Sequence, residues 1–97
     1  TPADVLERER MNGLALQVYP NPASADATLE FTTSRPYDAV SIRALDVTGR
    51  VVWKGYEGSL GMGAQRFDLP TAGWSAGTYL IQVEAEGRRI TEQLMVR

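Results

Sequence analysis

The chain has no histidine and no cysteine, so the commonest general base and the thiolate nucleophile are both absent. A serine or threonine nucleophile would need another base, and the only lysine, Lys54, stands in no motif with a serine. Carboxylates are the remaining candidates. A glycosidase pair needs two of them roughly 5–10 Å apart. Asp38 and Asp46 fall at opposite ends of one expected strand, which at about 3.3 Å per residue is too far. Glu84 and Glu86 share an outward phase, as charges on a solvated strand do. Asp26, Asp38 and Asp46 lack the dense spacing of a calcium loop and suit turns and caps. Gly55, Gly58, Gly61 and Gly63 have the density of a phosphate cradle, but such a loop leads into a helix and Gln65 to Leu69 alternates like a strand. A flexible hairpin loop over Gly55 to Gly63 is the better expectation.

The aromatics allow a different chemistry. Tyr19, Tyr37, Trp53, Tyr56 and Trp74 could form a stacking platform for sugars. Trp53 shares the inward phase of Val51, which favours the core. Trp74 lies in a loop between Pro70 and Gly77 and can either cap the fold or face a partner. No constellation makes an active site, so the chain reads as non-catalytic, with no metal and no cofactor.

The elements that would carry these residues are strands. A chain of 97 residues is one domain, and 43% hydrophobic content is too high for a disordered tail. A net charge of −2 supplies no basic face for nucleic acid. No apolar run approaches the roughly 20 residues of a membrane helix. The first residue is Thr1 and no signal peptide is visible, so an excerpt or processed product is expected, with any export signal upstream.

Residues 1–13 crowd Asp4, Glu7, Arg8, Glu9 and Arg10 among few apolar residues and read as a solvated linker. From Leu14 the period becomes two. Leu16 and Val18 alternate with polar neighbours until Pro20-Asn21-Pro22 stops the strand. Leu29 and Phe31, then Val40, Ile42 and Ala44, set two more strands. Asp46 to Arg50 is a turn, with Asp46 able to bond its own backbone and Gly49 free to take positive φ. Val51 and Trp53 continue beyond it. Phe67 and Leu69 lead to Pro70. Tyr79, Ile81, Val83 and Ala85 precede a turn at Glu86-Gly87-Arg88, and Ile90, Leu94 and Val96 close the chain with Glu92 interrupting their face. About seven short alternating strands with Gly/Pro turns predict an all-β, immunoglobulin-like antiparallel β-sandwich over residues 14–97, with a barrel as competitor.

Three stretches resemble a known family. They are Val18-Tyr19-Pro20-Asn21-Pro22-Ala23-Ser24 with Leu29-Glu30-Phe31; Val40 to Val52 with Asp46-Val47-Thr48-Gly49-Arg50 at its centre; and Leu69-Pro70, Ala76-Gly77-Thr78-Tyr79-Leu80-Ile81-Gln82-Val83, Gly87 and the terminal Leu94-Met95-Val96-Arg97. Their order and their distance from the chain end resemble the type A C-terminal sorting domain of the bacterial type IX secretion system. Many members carry more than one terminal lysine or arginine, where this chain has Arg97 alone.

The resemblance implies the C-terminal module of an exported cargo protein, folded in the periplasm and destined for the cell surface or medium. It implies two partners, an outer-membrane secretion translocon and a surface sortase, and attachment of the cargo to anionic lipopolysaccharide. Cleavage would fall in or before residues 1–13. The module itself would be a monomer, with neither nucleic acid nor a membrane span. Ile90, Leu94, Met95, Val96 and Arg97 are the expected recognition residues, read through the edge of the last strand. Tyr19, Pro20, Asn21, Pro22, Asp46, Gly49, Gly77 and Tyr79 are expected to be structural. An ancillary carbohydrate-binding module and a passive fibronectin-like spacer are the alternatives.

Overall fold

The structure is a computed structural model that describes residues 16–97. Seven strands follow one another: β1 (Gln17–Tyr19), β2 (Ala27–Thr33), β3 (Tyr37–Leu45), β4 (Val51–Leu60), β5 (Gly63–Leu69), β6 (Gly77–Ala85) and β7 (Arg88–Val96). Between β5 and β6 a 3-10 turn spans Thr71–Gly73. The expected linker over residues 1–13 and the start of the first strand at Leu14 lie outside the described residues.

The strands form two antiparallel sheets, ordered β1-β2-β5 and β4-β3-β6-β7, which makes the fold an immunoglobulin-like sandwich rather than a closed barrel. The period-two pattern explains the packing, because alternate side chains of each strand point to one face. One sheet contributes Ala27, Leu29, Phe31 and Leu69 to the core; the other contributes Val40, Ile42, Ala44, Tyr79, Ile81, Val83, Ala85, Leu94 and Val96. Each large side chain among them stabilises the fold by about 1.5–3 kcal/mol through removal from water.

The glycine-rich stretch corrects the expected loop. β4 runs through Gly55 and Gly58 to Leu60, and the chain turns only at Gly61 and Met62. Glycines hide a strand because they show no alternation, but Gly55 has a packing reason. The six-membered ring of Trp53 lies over it, and a Cβ there would meet Trp53 Cη2 at 2.0 Å. The turn is closed by buried Thr33 at the end of β2, the register partner of Gly63, whose hydroxyl donates to the Gly61 carbonyl at 2.7 Å and accepts from Gly63 N–H at 3.0 Å.

The four sheet edges differ. β1 is only three residues long. β4 carries three register irregularities against β3, and such bulges blunt an edge. β5 presents the charges of Arg66 and Asp68. β7 pairs with β6 over nine successive residues without a shift, and it contains neither proline nor glycine.

Candidate functional site

The last strand does not stand alone. The segment after β1, Pro20 to Ala23, lies along its outer edge, with both the Tyr19-Pro20 and Asn21-Pro22 peptide bonds cis. The Asn21 carboxamide donates through Nδ2 to the Gln93 carbonyl at 3.0 Å and accepts at Oδ1 from Met95 N–H at 3.0 Å. Two residues on, Ala23 N–H donates to the Met95 carbonyl at 2.8 Å and the Ala23 carbonyl accepts from Arg97 N–H at 2.9 Å. Ala23 is fully buried and forms a parallel bridge with Val96. This strap therefore covers the C-terminal half of the β7 edge. A branched side chain at position 23 would have no room, and the small alanine fits the buried bridge.

The opposite end of β3 holds the Asp46 turn. Asp46 Oδ1 accepts from Thr48 N–H at 2.9 Å, from the Thr48 hydroxyl at 2.6 Å and from Arg50 N–H at 3.1 Å. The Thr48 hydroxyl, then the backbone donors and Arg50, hold this carboxyl below the usual carboxylate range. Gly49 takes φ of 88°, which only a residue without Cβ adopts freely. Every lone pair of Oδ1 is committed within the turn, so Asp46 is a turn-former rather than a base.

Beside it, Trp74 packs on Tyr79 at 4.9 Å and on Trp53 at 6.1 Å between ring centroids. The Tyr79 hydroxyl donates to the Ser75 carbonyl at 2.6 Å and ties down the loop that carries Trp74. The tryptophans cap the sandwich and are half-buried in mutually tilted contacts. They do not present a flat platform. Tyr37 is buried with Arg35 over its ring, and Tyr56 packs on Phe67. An open cleft of about 480 Å³ remains between the Asp46 turn and Trp74. Its charged lining, Asp46 and Arg50, is already paired at 3.3 Å.

Residues 17–97 match the family described as secretion system C-terminal sorting domain. The chain belongs to that family. No curated protein matches it in sequence. The sorting domain is non-catalytic, serves type IX secretion, and marks a secreted or cell-surface protein that engages the secretion machinery. No helix of the described residues is long and apolar enough to cross a membrane. Among the described residues no three metal-ligating side chains cluster.

Within this sorting domain the sequence-derived recognition residues separate into two kinds. Leu94 and Val96 point inward and are buried at 0% and 4% exposure, with Ile90 half-buried beside them. Met95 and Arg97 point outward and are exposed. A folded sorting domain can therefore offer the side chains of Met95 and Arg97, but not those of Leu94 and Val96. Nor is the whole edge from Ile90 to Arg97 available, because the strap occupies Gln93 O, both main-chain groups of Met95 and Arg97 N. Removing Met95 to Arg97 would delete the core residue Val96 and three of the strap's four bonds. The strap itself was missed. Its only sequence signal is an asparagine between two prolines followed by a small residue.

Three more ion pairs form among the described residues. Arg35 meets Glu86 at 2.7 Å, Arg66 meets Glu30 at 2.8 Å and Arg89 meets Glu84 at 3.3 Å. Arg35 holds the Glu86 carboxyl below its ordinary range. These exposed pairs order the surface and set up no proton transfer.

Proposed function

We infer that this sorting domain directs an upstream cargo through the type IX outer-membrane translocon and delivers it to the cell surface. The observation that carries this reading is the joined geometry of two of the stretches that resemble the family. The Pro20-Asn21-Pro22 segment and the chain terminus are far apart in sequence, yet they meet along β7. A module whose terminus is a signal must hold that terminus in one place, and the strap does so while leaving Met95 and Arg97 exposed. A translocon component reading these two side chains, followed by a surface sortase acting in or before residues 1–13 and joining the cargo to anionic lipopolysaccharide, is the complete form of the proposal. Retention of the domain as the attachment itself is its shorter form.

The test is export of a fluorescent or enzymatic passenger fused ahead of residues 1–97 in a host with a type IX system. The passenger should reach the surface or medium, and a fusion lacking residues 17–97 should stay in the periplasm. Equal distribution of the two fusions would contradict the reading. The carbohydrate-binding alternative lacks support, since Trp53, Trp74 and Tyr56 pack against other rings and Tyr37 is buried.

A further inference from the structure

In an antiparallel strand the N–H and C=O of one residue point to the same side, and alternate residues face opposite sides. Gln93 O, Met95 N and O, and Arg97 N all point away from β6, since the strap takes them. Arg89 and Thr91 share that parity, as does Gln93 N. Among the described residues none of these groups is recorded in a backbone hydrogen bond, although β1 passes near β7. They form an unbroken row on the longest edge without a bulge or a proline, nine residues against seven in β5. The charges of Arg89 and of the inward-phased Glu92 keep such an edge from pairing indiscriminately.

We propose that the edge from Arg89 to Gln93 is a strand-addition site for an extended segment of the secretion machinery. This rests on the sorting function proposed above and names how the partner binds. The added strand takes its affinity from main-chain bonds to Arg89, Thr91 and Gln93. Its selectivity comes from the inner face, where Ile90 is half-buried and Glu92 is exposed with no ion-pair partner among the described residues. Side chains two apart on the incoming strand lie on one face, so the fitting segment carries an apolar residue beside Ile90 and a lysine or arginine two positions away beside Glu92. Asn21 and Ala23 set the limit of the site, because the strap blocks any longer pairing toward Arg97.

The passenger fusion tests this with four variants. Thr91→Pro removes the outward N–H and places a ring where the partner strand would lie, yet leaves the bonds to β6, which neighbouring residues make. Export should fall by about tenfold or more while the melting profile stays cooperative. Thr91→Ala changes the side chain alone and should export like the parent. Glu92→Arg, an exposed change that leaves the fold intact, should lower export by about threefold or more through repulsion of the partner's cation. Gln93→Pro repeats the backbone test at the next outward N–H. A folded Thr91→Pro or Gln93→Pro domain exporting at the parent's level overturns the proposal, as does parental export by Glu92→Arg. A loss with Thr91→Ala equal to that with Thr91→Pro also overturns it, because side-chain reading would then explain both. Failure of the parent fusion itself overturns the sorting function and this proposal together, so the two failures are distinguishable.

Discussion

Met95 N–H donates to the Asn21 side chain at 3.0 Å across 74 positions of sequence, and the same carboxamide donates to the Gln93 carbonyl. An amide side chain thus acts as a short piece of strand, presenting one donor and one acceptor to a sheet edge. Asn21→Ala should cost about 1–2 kcal/mol, two exposed hydrogen bonds at roughly 0.5–1.5 kcal/mol each. Hydrogen exchange at the Met95 amide should accelerate, while the Leu94 amide, which faces β6, keeps its protection. Unchanged exchange at Met95 would mean that the strap does not cover the edge in solution.

Neighbouring residues of β7 should behave oppositely. Leu94→Ala empties a fully buried site and should destabilise by about 2–5 kcal/mol. Met95→Ala, at a side chain 47% exposed, should cost under about 0.5 kcal/mol. Denaturant unfolding of both variants measures this. If Met95→Ala lowers export without lowering stability, the outward face of the terminus is being read.

Gly55→Ala places a methyl group against the Trp53 ring, which must move. Overpacking of this kind costs about 1–3 kcal/mol. Trp53 contacts Trp74, so tryptophan fluorescence should shift along with the unfolding midpoint. An unaltered spectrum and midpoint would show that the ring does not lie over the glycine.

The acid side of the stability profile follows from Asp46 and Glu86, both held below their ordinary range, Asp46 first by the Thr48 hydroxyl and Glu86 first by Arg35. A carboxyl lowered in the folded state contributes stability above its unfolded value, near pH 4, and loses it as pH falls through the folded value. The melting temperature should therefore be flat from neutral pH to about pH 5 and fall below about pH 4. Asp46→Asn should be less stable than the parent at pH 7, and the gap should narrow as the pH drops. A gap that widens in acid would contradict the assignment.

Much of the sandwich is legible in the sequence because its strands alternate. Val40, Ile42 and Ala44, and Tyr79, Ile81, Val83 and Ala85, announce their inward faces, and the Asp46–Gly49 turn announces itself by residue type. The glycines of β4 do not, because a strand whose face is built around a neighbour's indole ring shows no apolar alternation. Trp74 was ambiguous since its burial depends on Trp53 and Tyr79, which the fold alone brings to it. The strap was illegible for a related reason. A single asparagine contact between distant segments leaves no periodic trace, and the exposed edge it delimits is a property of sheet order rather than of the residues in β7.

The most direct test of the sorting function compares one passenger fused ahead of residues 1–97 in two hosts, one with an intact type IX translocon and one lacking it. Passenger should reach the surface or the medium of the first host and accumulate in the periplasm of the second. Equal release from both hosts, or none from either, would contradict it.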